Sequence, residues 1–182
     1  VGCPHACKYC YASFMKRFTG HSESWGDFID IKRARHKING SQITGKNVFM
    51  GTVTDCYNPY EVKYGITRSI LEQLVGVDCY LQIATKNKLI LRDLDLLKKM
   101  KHLSVALSVN TLDENFRRDM DWASTVRERL ETLRTLHENG IYTILFMSPI
   151  FIGVTDWKAI IEPSRSFVSE YWFGDLNLRG GY

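Results

Sequence analysis

No stretch of these 182 residues is long and apolar enough to span a bilayer. The longest apolar run, Tyr142 to Val154, is broken by Ser148 and Pro149. The first ten residues hold three cysteines, a histidine and a lysine, so no secretory signal is expected there. There is no low-complexity segment, internal repeat or linker, so one domain over residues 1–182 is expected. Neither sign of charge dominates. Lysine and arginine total 24 against 20 acidic residues, a formal net charge of +4. That is too mild to argue for nucleic acid on charge alone. Hydrophobic residues at 45% and charged residues at 24% exclude wholesale disorder. A chain of this length buries roughly 70% of its unfolded surface without needing disulfide staples.

The cysteines do not suit a disulfide framework either. There are five, Cys3, Cys7, Cys10, Cys56 and Cys79, an odd number with three of them inside eight residues. Without a secretory signal, such crowding points to metal binding in a reducing, cytoplasmic compartment.

The remaining sequence alternates strand and helix patterns. Strands are expected at Val48–Asp55, Cys79–Lys86, Leu103–Asn110, Tyr142–Ser148 and Tyr171–Leu178. Between them, Ile66, Ile70 and Leu74 mark a helix over Glu61–Val75, and Ile90, Leu94, Leu97 and Met100 mark another. Asp113 opens a short helical piece. Val126, Leu130 and Leu133 mark a longer helix closed by Asn139-Gly140, and Trp157–Glu162 is helical. This order implies parallel βαβ units, an α/β fold.

Alternation along the strands adds a site. Leu81 and Ile83 oppose Gln82, Ala84 and Lys86. Leu103, Val105, Leu107 and Val109 oppose Ser104, Ala106, Ser108 and Asn110. In the first strand, Phe49 and Val53 are assigned to the apolar side and Thr52 and Thr54 to the polar one. If helices cover the apolar faces, the small and polar faces share one interior. That suits a partial parallel (β/α) barrel holding a polar ligand, with Thr54, Lys86, Ser108 and Ser148 at carboxyl ends of strands. A two-layer sheet with one wetted face is the alternative.

The run Cys3-Pro4-His5-Ala6-Cys7-Lys8-Tyr9-Cys10 has CxxxCxxC spacing. Three thiolates so close can reach one metal centre from one loop and leave a coordination position open. A zinc site completed by His5 or His21 is the competing assignment, and with the basic run Lys32–Lys37 it would make a non-catalytic zinc-binding nucleic-acid module.

CxxxCxxC followed by an aromatic, Tyr11, resembles the radical S-adenosylmethionine (radical SAM) superfamily. GCPHACKYCYA, GTVTDCYNPYE and ATKN together are similar to its spore photoproduct lyase-like group, which includes the radical SAM mobile pair protein B proteins. The resemblance runs from Gly2 to about Gly153. It implies a partial (β/α) barrel whose first strand would precede Val1, so that the chain is truncated there and, at LNLRGGY, at its C-terminal end. It also implies a [4Fe-4S] cluster held by Cys3, Cys7 and Cys10. S-adenosyl-L-methionine would chelate the fourth iron and be cleaved reductively to a 5′-deoxyadenosyl radical, which abstracts hydrogen from a substrate. The electron would come from a low-potential donor of the flavodoxin or ferredoxin type, and lyase-like repair would make DNA a partner.

Carried over position by position, the resemblance makes Tyr11, Thr54, Lys86 and Ser108 cofactor-binding residues. The photoproduct lyases place a hydrogen-donor cysteine two residues before the strand-end hydroxyl. Here that position is Thr52, and Cys56, two residues beyond Thr54, is the candidate catalytic thiol. Cys79, at a strand start, is expected to be a buried structural thiol. The Arg127–Arg134 helix, alternating Arg with Glu, is expected to be a solvated face.

Overall fold

The computed structural model describes residues 1–33 and 36–177. Its centre is one sheet of five parallel strands in chain order: β1 (Asn47–Met50), β2 (Tyr80–Thr85), β3 (His102–Ser108), β4 (Tyr142–Ile150) and β5 (Glu170–Asp175). The sheet is open, a partial barrel of α/β type. Helices α1 (Gly40–Ile43), α2 (Glu61–Tyr64), α3 (Ile66–Leu74), α4 (Leu94–Leu97), α5 (Glu114–Met120), α6 (Val126–Glu138) and α7 (Trp157–Ser164) occupy the connections. Leu81, Ile83, Val105, Leu107 and Leu145 pack with Leu71, Leu74, Leu97, Leu133, Leu136 and Ile160 into one buried core. Burying such a side chain contributes about 1.5–3 kcal/mol, so this layer carries most of the stability.

Several helices differ from the expected spans for identifiable reasons. The helix expected over Glu61–Val75 is two helices, because Gly65 adopts φ 58°. The buried Glu61 carboxylate then takes over as the cap of α3, accepting from Thr67 N–H at 3.0 Å and Arg68 N–H at 3.2 Å. The helix around Ile90 begins as a 3-10 turn, Lys88–Asp93, capped by Asn87 Oδ1 accepting from Leu89 N–H. The fully buried Asp93 there is paired with Arg68 at 2.9 Å and Arg92 at 2.7 Å. Helix α6 has a complete capping box between Thr125 and Glu128, and Gly140 follows it at φ 79°. Cys79 is buried in the core, as a structural thiol would be.

Two other expectations change. Arg129 of α6 is not solvated but 1% exposed. Within the basic run Arg35 falls outside the described residues, as does Leu178 of the expected last strand. Strand β1 stops at Met50, short of Asp55, because Gly51 turns the chain at φ 92°. A Cβ on Gly51 would stand 2.1 Å from the Ala84 carbonyl oxygen. Gly51→Ala is therefore expected to cost at least about 1–3 kcal/mol from strain at a position where the backbone cannot retreat. Chemical unfolding measures it, and a loss below about 0.5 kcal/mol would contradict the assigned close approach.

Candidate active site

Residues 1–10 form no regular structure, yet they are tied down at several points. Ala6 N–H donates to the Cys3 carbonyl and Cys10 N–H to the Cys7 carbonyl, both at 3.1 Å, making two successive turns. Ala6 takes φ 45°, and a Cβ on neighbouring Gly26 would fall 2.7 Å from the Ala6 methyl. From outside the loop, Lys8 N–H donates to Met120 O at 2.9 Å and Trp122 N–H to His5 O at 2.8 Å. The Thr54 hydroxyl donates to Gly2 O at 2.8 Å.

These ties place Cys3, Cys7 and Cys10 together on the wall of a cavity of about 570 Å³ above the sheet. The same wall holds Tyr11, Lys86, Ser108 and Ser148. Three thiols and three of the four expected cofactor contacts are thus brought to one space. The fourth, Thr54, is not: it lines a second cavity of about 320 Å³, and its hydroxyl is spent on the loop. Cys56 also borders that second cavity and packs against the core. Among the described residues, the cavity wall carries no thiol besides the three in the loop. The expected catalytic thiol therefore does not join the site.

The cavity wall is less polar than expected. Phe49 pairs in register with Gln82, which puts it on the cavity side of the sheet with Ala84 and Ala106. Phe146 and Trp172 stand edge to face at 5.9 Å on the same wall. A largely apolar pocket with a few polar groups is the usual form of a small-molecule site.

Two buried carboxylates, not assigned a role from sequence, organise the polar part. Asp121 accepts from the Tyr9 hydroxyl at 3.0 Å, from Ala123 N–H at 3.1 Å, and from the Arg129 guanidinium in a close ion pair. Arg129 also donates to Ser124 O at 2.7 Å and Ser108 O at 3.1 Å, linking the loop to the tip of β3. Asp55 accepts from Thr85 Oγ1 at 2.7 Å, Lys86 N–H at 2.8 Å and Tyr57 N–H at 2.9 Å. Desolvation works to raise both carboxyls. It is outweighed at Asp55 by His5, Lys86 N–H and Thr85, and at Asp121 by Arg129 and Lys86, so both stay below the usual carboxylate range. Lys86 Nζ lies 5.3 Å from the centre of the Tyr9 ring.

The thiols have the opposite problem. Burial pushes Cys3 up to about 11, with the Asp55 charge adding to the effect, and Cys7 up to about 12, with Lys86 opposing. Such thiols become thiolates only when a bound cation compensates the charge. Among the described residues, no three His, Cys, Asp or Glu side chains converge on a point that would hold a single metal ion. Zinc needs four donors within about 2.0–2.3 Å of one centre. An iron–sulfur cluster instead spreads its thiolates over different irons, which suits three thiols presented by one loop on one wall. His21 is engaged elsewhere, 2.8 Å from Asp30 and stacked on Phe28 at 4.0 Å. A buried polar atom also awaits a partner here, since neither ring nitrogen of His5 on this wall has a well-formed hydrogen bond. Three thiols of one loop, beside a cavity that leaves room for a further ligand, fit a cluster.

The family model for the radical SAM superfamily matches residues 1–162. The chain belongs to the radical SAM superfamily. An uncharacterized protein of Methanocaldococcus jannaschii is 38% identical over 181 residues, covering 98% of this chain and 69% of its own length. An uncharacterized protein of Acidianus two-tailed virus is 32% identical over 164 residues, 83% of this chain and 54% of its own. Among solved structures, spore photoproduct lyase complexed with dinucleoside spore photoproduct superposes with a TM-score of 0.59 at 16% identity, over 83% of this chain and 44% of that one. SuiB of Streptococcus suis bound to S-adenosylmethionine gives 0.52 at 17% identity, over 66% and 28%. At these identities the structural likeness is one of fold. This radical SAM chain spans about half or less of most of these proteins. The cofactors of the family are a [4Fe-4S] cluster and S-adenosylmethionine, and no helix among the described residues is long and apolar enough to cross a membrane.

The buried pairs make the site's framework sensitive to acid. Because Asp55, Asp93 and Asp121 have folded values below the ordinary one, their contribution is present above about pH 4 and is lost as pH falls through the depressed values. Arg129→Ala leaves Asp121 buried without its cation and is expected to destabilise by about 3–5 kcal/mol near neutral pH. Urea unfolding across pH 3–7 checks both. In Arg129→Ala the loss should shrink toward pH 3, where Asp121 can protonate, and a pH-independent loss would contradict the pairing.

Proposed function

We propose that this chain is the core of a radical SAM enzyme in which Cys3, Cys7 and Cys10 hold the cluster and Lys86 binds the carboxylate of S-adenosylmethionine. The supporting observation is that three loop thiols and the strand-end Lys86, Ser108 and Ser148 share one cavity at the carboxyl ends of parallel strands. When bound, the two cofactors supply reductive sulfonium cleavage to a 5′-deoxyadenosyl radical, with the electron from a low-potential donor of the flavodoxin or ferredoxin type. The chain's own part is to bind, orient and exclude water. Lys86 offers a cation beside Cys7 and Asp121, Tyr11 stands at the exposed rim, and the Phe146–Trp172 pair gives an apolar wall for a planar group.

The lyase-like extension of this proposal is that the radical acts on a nucleic acid lesion. It draws on the likeness to a lyase complexed with a dinucleoside and on the 3-10 helix Tyr11–Phe18 that follows Cys10. This helix carries exposed Phe14 and Phe18 with Arg17 lying 5.4 and 4.8 Å from their ring centres, a pairing suited to bases and phosphates. Thr52 and the position of Cys56 separate the chemistry from that of a lyase using a strand cysteine as hydrogen donor. Cys56→Ala is accordingly expected to leave cofactor cleavage and product yield unchanged, and a collapse of product alone would return Cys56 to the mechanism.

The reading is tested on anaerobically reconstituted protein. Replacing Cys3, Cys7 or Cys10 by Ala should abolish iron binding and 5′-deoxyadenosine formation together. Lys86→Met should weaken S-adenosylmethionine binding roughly ten- to a hundredfold, the size of a charge-assisted hydrogen bond of about 1.5–3 kcal/mol, while iron content holds. Cofactor cleavage by a triple cysteine variant, or unchanged affinity in Lys86→Met, would overturn the assignments.

A further inference from the structure

His5 and Asp55 have so far been treated as scaffold, yet their arrangement goes further. The His5 ring is 1% exposed and lies on the wall that carries the three loop thiols. Its Nε2 stands 3.2 Å from Asp55 Oδ2 but out of line for a well-formed hydrogen bond, and Nδ1 has no partner among the described residues. Besides His5, Asp55 is held by three donors, the Tyr57 and Lys86 N–H groups and the Thr85 hydroxyl, none of which carries a full charge. The imidazole is therefore the only side chain that stands in an ion-pair contact with this buried carboxylate among the described residues. Cys3, His5 and Asp55 line the same cavity wall, and His5 stands two residues along the loop from Cys3.

We propose that the Asp55–His5 pair sets the reduction potential of the cluster bound through Cys3. Asp55 biases it against accepting an electron, and His5 moderates that bias. This rests on the cluster assignment made above. The physical ground is that a buried anion close to a redox centre disfavours adding negative charge to it, whereas a polar group interposed on that anion spreads its field. Outer contacts of this kind tune a metal centre without ligating it. Asp55 is well placed because it also fixes the tip of β2 through Lys86 N–H, so the distance from carboxylate to thiol is set by the sheet and not by a free side chain.

The two members should act in opposite directions, which a merely structural role would not produce. The experiment is a spectroscopically monitored redox titration of the reconstituted cluster in the complete protein, with iron content measured alongside. Asp55→Asn should raise the midpoint potential. His5→Phe should lower it, because the carboxylate is left uncovered. The double variant should follow Asp55→Asn, since His5 matters only while the charge is there. Shifts of the same sign, or unmoved potentials at full iron content, would overturn the proposal. So would loss of iron in both single variants, which would make the pair a holder of the loop only. If Asp55→Asn does not fold, His5→Phe decides alone: an unmoved or raised potential overturns the proposal. Wild-type protein that takes up no iron would instead sink the cluster assignment on which the pair depends.

Discussion

Three thiols must be presented to one space by a segment with no helix or strand of its own. Every other feature of the site answers to that constraint. The loop's own turns, Cys3 to Ala6 and Cys7 to Cys10, close only single turns of chain. Its position is imposed from outside, by the connection between α5 and α6 on one side and by the tips of β1 and β2 on the other. Buried carboxylates do this because each can accept several hydrogen bonds at once. Asp121 gathers Tyr9, Ala123 and Arg129, and Asp55 gathers Tyr57, Thr85 and Lys86.

Such anchors are a poor way to gain stability. Desolvating a carboxylate and a guanidinium costs several kcal/mol per ion, and an apolar replacement of equal volume is often as stable. What the ions supply is direction. Arg129 reaches Asp121, Ser124 and Ser108 from a single planar group, so the α6 helix, the loop and the end of β3 share one orientation. Apolar packing could hold these elements at the same spacing, but it would not fix which way Tyr9 and the cysteine turns face.

The parts legible in the sequence were those governed by periodicity and by spacing. The core faces of β2 and β3, the Asn139-Gly140 stop of α6 and the cysteine loop all follow from local pattern. What escaped depends on pairing across the chain. Arg129 is instructive, because it stands three residues after Val126 and four before Leu133, on the buried stripe of α6. Its charge suggested solvent, while its position indicated the interior, and position prevailed because Asp121 was there to meet it. Asp121 itself lies in a connection with no periodic signal, so nothing local marked it.

The first strand shows how one assignment can move several residues. Its faces were assigned by chemistry, hydroxyls toward the cavity and apolar residues away, in keeping with β2 and β3. The register is decided by pairing, and Phe49 stands beside Gln82. In a strand, a change of one residue in parity exchanges every side chain between faces. Beyond Met50 the alternation no longer applies: Gly51 turns the chain, and Gly51, Thr52, Val53 and Asp55 all line that wall. Thr54 is turned away to hold Gly2, and Cys56 goes with it to the far side. The displacement of both expected site residues and the arrival of Asp55 on the cysteine wall thus belong to the segment after Gly51 and not to the register of the strand. The register itself puts a bulky aromatic on the cavity face, where the small side chains of Ala84 and Ala106 leave it room.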